Sequence, residues 1–326
     1  MQAPDFWQSG KGGIVAELLS PLGWLYGFAT QRKLSSTTPW TSPVPVLCVG
    51  NLIAGGAGKT PVALDIGDRL KNKGKAVHFL SRGYGGSEKG PLLVDPARHD
   101  FRRVGDEPLL LATRGPTWVS RERKAGCMAA AEAGADVIIM DDGFQNPYIH
   151  RNFSLIVVDG GYGFGNGKMI PAGPLRETIS TGLSRADAAV IIGEDNTGAT
   201  AAICQNAHTP LRARLVPDPL PAKATDMPLI AFAGIGRPEK FFRTVADMDF
   251  PVITTIPFAD HHAYRDAEMK QLLKMAKNAN ARLLTTEKDA QRLPASFLSE
   301  ISVLSVRLEW SDEAAIEHLL DGIDNA

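Results

Sequence analysis

The sequence has 326 residues, a formal net charge of −1 and 44% apolar residues. It is long for one domain, comfortable for two, and apolar enough to build sizeable cores. So balanced a charge excludes a global field favouring nucleic acid, and any basic recognition has to be local. Three widely spaced cysteines, Cys48, Cys127 and Cys204, exclude a disulfide scaffold and a zinc spacing, which points to a reduced, cytosolic compartment.

The opening stretch MQAPDFWQSGKGG lacks the basic-then-apolar order of a secretory signal. The first apolar run, Ile14 to Ala29, is interrupted by Glu17, Ser20 and Pro21, and falls short of the roughly 18 to 20 residues a spanning helix needs. Pro21 directly after Ser20 predicts an N-cap and the start of a second helix. Ile14, Leu18, Leu22 and Leu25 fall near one face, with Trp7, Trp24, Tyr26 and Phe28 nearby and Lys11, Arg32 and Lys33 flanking. That pattern suits a helix lying in a membrane interface, and equally a helix packed on the core.

From Val44 strands and helices alternate. VPVLCVGNL is a buried strand, and TPVALDIGDRLKNKG a helix with Val62, Ile66 and Leu70 on one face and Gly74 as its stop. AVHFLSRG, DVIIMDD, SLIVVDG and AAVIIGE read as further strands, and SRERKAGCMAAAEAGA as a helix. This rhythm predicts a doubly wound, mostly parallel α/β sheet. Near residue 210 the texture changes to a proline-rich stretch, His208 to Pro228, holding one alternating run, Leu211 to Val216. A second α/β segment follows, then the strand-like run ISVLSVRLEW and a helical tail with Ser311 as N-cap. We therefore expect a first domain over 1–210, comprising an N-terminal membrane-associating helix and a phosphate-loop domain. A smaller α/β domain over 221–302 would be joined to it by two linker strands, within 211–220 and 303–310. The helix at 311–326 would pack back on the first domain.

The stretch GNLIAGGAGKTP nearly fits the phosphate-loop pattern G-x-x-x-x-G-K-[ST], with Ile53 where the first glycine belongs. It follows an apolar strand and precedes an amphipathic helix, the context that supports a phosphate loop over a helix-capping turn. Ile53, Ala54, Gly55, Gly56, Ala57, Gly58, Lys59 and Thr60 form the candidate nucleotide cradle. Gly55 and Gly56 supply permissive torsions after Ile53, backbone amides and the helix N-terminus face phosphate, Lys59 reaches the β- and γ-phosphates, and Thr60 ligates Mg²⁺.

DVIIMDDGFQ ends a strand in two carboxylates, Asp141 and Asp142. One would complete a Mg²⁺ shell opposite Thr60 and the other is free for proton chemistry, although DDG is also turn chemistry. GDEP offers Asp106 and Glu107 ahead of a helix, as caps or as functional acids. In SRGYGG, Arg82 suits an anion or a plain loop. In PAGPLRE, Arg176 and Glu177 suit a site or a surface ion pair. In FADHHAY, a histidine beside a carboxylate would make an acid/base pair, with surface decoration as the alternative. The adjacent His261 and His262 diverge, so they are not expected to chelate one metal.

Taken together, VGNLIAGGAGKTP, LSRGYGG, VGDEP, DDGFQ, PAGPLRE, FADHH and LLTTEKDAQRLP resemble the tetraacyldisaccharide 4′-kinase (lipid A 4′-kinase) family of Gram-negative bacteria, in the family's order and over nearly the whole chain. The family shares the missing first glycine. One departure is Asn146 after DDGFQ, where a histidine is expected. The resemblance implies a P-loop NTPase-like fold and an ATP- and Mg²⁺-dependent transfer to the 4′-hydroxyl of a tetraacylated, 1-phosphorylated glucosamine disaccharide. It implies a peripheral enzyme on the cytoplasmic face of the bacterial inner membrane, with an acylated lipid substrate and no nucleic acid. It implies that Asp142 pairs with His261 to take the sugar proton, that Asp141 and Thr60 hold Mg²⁺ with Glu177 and Asp106 close by, and that Lys59 acts on the transferred phosphoryl group. Arg82, Tyr84, Arg123 and Arg176 are its candidate substrate or phosphate contacts. A base divided between two domains would be assembled by domain closure. Competing classes are a P-loop GTPase switch or metallochaperone-type module and a soluble small-molecule kinase. The nearest approach to a guanine-reading N-K-x-D is TEKD, Thr286 to Asp289, which does not fit.

Overall fold

The apolar runs of the first 210 residues become the centre of a nine-stranded sheet. In the computed structural model, which describes residues 4–220, 227–248 and 250–325, its strands are β1 (Val46–Gly50), β2 (Val77–Ser81), β3 (Leu92–Leu93), β4 (Thr117–Val119), β5 (Val137–Asp141), β6 (Phe153–Asp159), β7 (Ala188–Ile192) and β8 (Leu211–Pro217). A four-stranded parallel sheet follows, of β9 (Leu229–Ala233), β10 (Val252–Pro257), β11 (Arg282–Thr286) and β12 (Ile301–Leu304), and β13 (Val306–Trp310) returns to the large sheet. Residues 221–226, where the second domain is expected to begin, and Ala326 of the expected C-terminal helix lie outside the described residues.

The large sheet runs β13-β8-β7-β6-β1-β5-β2-β4-β3 and the small one β10-β9-β11-β12. Only the outermost pairs of the large sheet, β13–β8 and β3–β4, are antiparallel. The central strands are fully buried, as parallel strands covered on both faces must be. The single run ISVLSVRLEW is two strands in two sheets. β12 pairs with β11 and β13 with β8, with Ser305 between them.

β1 lies between β5 and β6, so the loop after it opens at the point where strand order reverses, the place where open α/β sheets bind ligands. Five helices bear on the site: α1 (Gly13–Ser35), α2 (Lys59–Asn72), α3 (Phe101–Val104), α4 (Asp106–Ala112) and α5 (Arg123–Glu132). α2 packs Val62, Ala63, Ile66 and Leu70 onto the sheet. The C-terminal helix Glu313–Asp321 lies along α2, joined by Arg69 to Glu313 and Glu317 and by Lys73 to Glu317 and Asp321.

Against expectation, Pro21 does not begin a new helix but sits inside α1. The Ser20 hydroxyl instead donates back to the Ala16 carbonyl at 2.7 Å. The buried residues of α1 are Ala16, Gly23 and Gly27, while Ile14, Leu18 and Trp24 are 79%, 75% and 72% exposed. The small residues therefore face the protein and the large apolar ones face outward. Among the described residues no helix is long and apolar enough to cross a membrane.

Candidate active site

The loop between β1 and α2 is held from outside by the PAGPLRE segment. The Ala54 amide donates to the Pro174 carbonyl at 2.8 Å, the Arg176 amide donates to the Leu52 carbonyl at 2.8 Å, and Ile53 bridges to Leu175. Ile53 is buried and the Ala54 amide is already bonded, so the first two residues of the predicted cradle build its wall. The stretch that can wrap a phosphate is Gly55 to Thr60. Gly55 and Gly58 have φ of 125° and 85°, torsions open to glycine. A side chain at Gly58 would also meet Ile192 at 2.8 Å. Lys59 opens α2 with its side chain buried in the site, and its ammonium lies 3.5 Å from Asp142.

The two carboxylates at the end of β5 have different surroundings. Thr60 Oγ1 donates to Asp141 Oδ2 at 3.0 Å, and Asp141 Oδ1 is buried with no hydrogen-bond partner. Burial, reinforced by the charge of Glu107, pushes the Asp141 carboxyl up to about 7 against the pull of Lys59. Asp142 is also desolvated, but Lys59 and Arg176 outweigh that and hold it well below the usual carboxylate range. Arg176 grips it with two hydrogen bonds, at 2.8 and 3.3 Å. Asp142 turns the chain with φ of 53° and His261 with φ of 57°, torsions that side-chain-bearing residues adopt at a cost and that cluster at functional sites.

The structure does not show the pairing of Asp142 with His261 that the resemblance implies. His261 Nδ1 lies 2.9 Å from Asp106 Oδ2, whereas Asp142 is taken by Arg176 and Lys59. Asp106 opens α4 and is 3% exposed. Burial raises its pKa, but the His261 hydrogen bond, Lys288 and Arg292 overcome this and bring it to about 2. The charged carboxylate can accept a proton from Nδ1, and in that tautomer Nε2 is the ring's acceptor. Gly105, with φ of 91°, lets α4 begin close to the chain at Tyr84, whose carbonyl would lie 2.6 Å from a side chain there. The Tyr84 ring lies 5.5 Å from that of His261.

Asp106 and Glu177 are not gathered around Asp141. Glu177 accepts from Gln145 at 3.2 Å and is ion-paired with Arg185, and Asp106 serves His261 and, at 3.5 Å, Arg292. Among the described residues no group of three or more His, Cys, Asp or Glu side chains could hold a metal ion. Thr60 and the unpartnered Asp141 oxygen still fit a hard cation that takes few protein ligands and completes its shell with water and phosphate, as Mg²⁺ does.

Arg82, Tyr84, Arg123 and Arg176 line one cavity of about 850 Å³ with Asp141 and Asp142. Arg123 is buried, and its Nε has no partner. Asn146, the departure noted in the sequence, also lines it and accepts from the Tyr148 amide at 2.8 Å. TEKD proves structural. Thr286 caps its helix, and the buried Asp289 accepts from the Gly234 amide, Tyr264 and Arg292.

A second contact between the sheets was not anticipated. Asp159, at the end of β6, is buried and held by Arg237 (3.0 Å) and Lys240 (2.7 Å) from the small-sheet side, and Arg237 also donates to the Gly56 carbonyl at 3.2 Å. The signal was present in SLIVVDG, an apolar strand that, like DVIIMD, ends in an acid. Lys288 with Glu107, at 2.9 Å, is a further cross-sheet pair.

A glycine-rich cradle with Lys-Thr at a switch point, an acid behind the threonine and a histidine–carboxylate pair opposite define a P-loop phosphotransferase of the kinase type. The tetraacyldisaccharide-1-P 4′-kinase family model matches residues 15–324. The chain is 51% identical to the tetraacyldisaccharide 4′-kinase of Rhodospirillum centenum, over 98% of this chain and 96% of that protein. It is 52% identical to that of Gluconacetobacter diazotrophicus, over 98% of both. A crystal structure of LpxK from Aquifex aeolicus in complex with ATP superposes with a TM-score of 0.76 at 25% identity, covering 95% of this chain and 99% of that one. The chain belongs to the tetraacyldisaccharide-1-P 4′-kinase family. It is accordingly a kinase of lipid A biosynthesis that uses ATP and phosphorylates a hydroxyl group of a lipid A precursor.

Proposed function

We propose that the 4′-hydroxyl of the acylated disaccharide is activated by His261, held by Asp106, and attacks the γ-phosphorus of an ATP cradled by Gly55 to Thr60, breaking its bond to the β–γ bridging oxygen so that ADP leaves. The observation that carries this reading is the 2.9 Å contact between Asp106 on the large-sheet side and His261 on the other. His261 Nε2 takes the hydroxyl proton, and the charged Asp106 stabilises the imidazolium that results. Lys59 neutralises the transferred phosphoryl group, while Arg176 keeps Asp142 ionised and oriented beside that ammonium. Thr60 and Asp141 would hold Mg²⁺, which when bound would supply charge neutralisation of the triphosphate. Arg82, Tyr84 and Arg123, which line the same cavity, contact the acceptor.

The two sheets are read as two domains, with the connections through β8 and β12–β13 as the hinge, so that closure brings His261 to the cradle. The outward apolar face of α1 seats the enzyme on the bilayer, on the cytoplasmic side where ATP is present, and leaves the acyl chains in lipid. The test is transfer of labelled phosphate from ATP to the disaccharide lipid. His261→Ala and Asp106→Asn should each lower kcat about 10²- to 10⁴-fold with ATP affinity nearly preserved. Full turnover in either variant removes the pair from the mechanism.

A further inference from the structure

The segment LLTTEKDAQRLP carries a buried arginine to the base. It presents two cations four residues apart, Lys288 and Arg292, to the two acids that open α4. Lys288 pairs with Glu107 at 2.9 Å, and Arg292 Nε stands 3.5 Å from Asp106 Oδ2. That oxygen is also the one that His261 Nδ1 reaches at 2.9 Å.

Arg292 is 1% exposed and its guanidinium is fixed in place. Nη2 donates to the Gly234 carbonyl at 2.9 Å and to Asp289 Oδ1 at 2.5 Å. The Gly234 carbonyl also accepts the His261 amide at 3.0 Å, so the cation and the histidine turn share one carbonyl oxygen. Asp289 in turn accepts from the Gly234 amide at 2.9 Å and from the Tyr264 hydroxyl at 2.7 Å. The arginine, Asp289 and the turn are thereby one hydrogen-bonded unit on the small-sheet side. Among the described residues Nε and Nη1 have no hydrogen-bond partner. A buried guanidinium left partly unsatisfied is costly, and the carboxylate that meets Nε is that of Asp106, from the other sheet. The needs of the small-sheet fold account for the contact with Asp289 and leave the contact with Asp106 unexplained.

One hydrogen bond between a carboxylate and an imidazole leaves the acid able to pivot, and the tautomer of the ring follows the acid. A second, fixed cation beside the same oxygen removes that freedom. We propose that Arg292 is a positioning residue for the base, docking Asp106 against the His261 turn so that the ring keeps Nδ1 for the acid and Nε2 for the acceptor hydroxyl. The guanidinium acts through Asp106 and does not touch the substrate. This rests on reading His261 as the base.

Arg292→Ala would leave Asp289 buried without its cation, so the variant of choice is Arg292→Lys, which keeps a positive charge there and loses the planar fork. Transfer of labelled phosphate to the disaccharide lipid is measured for the full chain as wild type, Arg292→Lys, Asp106→Asn and the double variant, with thermal melting to show that each is folded. Arg292→Lys should turn over roughly 10- to 100-fold more slowly than wild type, with the KM for ATP changed by no more than about threefold. In the Asp106→Asn background the same substitution should cost almost nothing further, because the two residues act as a unit. Spectra of protein labelled with ring-¹⁵N histidine, the His261 signals being those lost in His261→Ala, should show one tautomer in wild type and a mixture in Arg292→Lys. Losses that multiply in the double variant overturn the proposal, as does an unaltered kcat, or a lower kcat with the His261 tautomer unchanged. An Arg292→Lys chain that does not fold assigns the residue to the fold alone and overturns it too. Full turnover in His261→Ala would strike the reading of His261 as the base instead.

Discussion

Asp141 and Asp142 are neighbours in the chain with opposite electrostatic assignments, and their opposite signs can be measured. Burial pushes Asp141 up to about 7 in the ligand-free protein. A folded-state pKa above the unfolded value of 3.8 means that its contribution is fully present below about pH 4 and is lost as pH rises through about 7. Replacing it with the neutral isostere Asn should therefore raise the melting temperature of ligand-free protein at roughly pH 8 while abolishing phosphoryl transfer, a stability gained at the expense of activity. A lower melting temperature for Asp141→Asn at that pH would refute the assignment. Asp106 has the reverse sign. Its folded pKa of about 2 lies below the unfolded 3.8, so its stabilisation is present above about pH 4 and disappears as pH falls through about 2. That shift corresponds to about 2 kcal/mol. Urea titration of Asp106→Asn at neutral pH should show a loss of this order, because Arg292, 1% exposed, keeps its charge without that partner.

At the scale of elements, α1 is built with small residues inward and large apolar residues outward. A side chain at Gly23 would come within 2.8 Å of the Met169 carbonyl, a backbone atom that cannot swing aside. Gly23→Val should lift α1 from the Met169–Ala172 segment. That segment continues into Leu175 and Arg176, which brace the phosphate loop, so the variant should lose both thermal stability and turnover. Leu18→Glu with Trp24→Glu changes only exposed positions. Stability should stay within about 0.5 kcal/mol, while recovery with vesicles in a flotation assay falls; unchanged flotation would remove α1 from membrane contact. The contrast also explains what the sequence made legible. The strand, loop and helix from Val46 to Asn72 could be read because periodicity and glycine torsions act within a few residues. Pro21 misled because the Ser20 hydroxyl, read as an N-cap, instead donates to the Ala16 carbonyl inside one continuous helix. The break at Ser305 was invisible because apolar alternation runs through it, although β12 and β13 belong to different sheets. The partner of His261 was hidden for a related reason, since three acids end or begin elements near the cradle and only the docking of the two sheets selects Asp106.

For the whole molecule, the sheets meet through charges. His261 with Asp106, Lys288 with Glu107, and Arg237 and Lys240 with Asp159 flank the cradle on two sides. A polar interface of this kind can open to exchange ligands, where an apolar one would be held shut. The Asp159 contact is suited to set that equilibrium, because Arg237 and Lys240 are partly exposed and recover water on opening, and because Arg237 also rests on the Gly56 carbonyl. Asp159 itself is a poor place to test this, since it also accepts from the Gly161 amide and shapes the turn after β6. Arg237→Ala with Lys240→Ala acts from the other side and spares the turn. In solution scattering that variant should show a larger radius of gyration than wild type without nucleotide. Its kcat should fall roughly 10-fold or more if, as proposed, closure of the two sheets is what brings His261 to the acceptor. Its ATP affinity should change by only a few-fold, since Lys59, Thr60 and the loop amides all lie on the large-sheet side. A variant with wild-type scattering and wild-type kcat would show that the clasp does not govern closure. A kcat decline with unaltered scattering would place Arg237 at the triphosphate itself, acting through charge and not through the position of the domains.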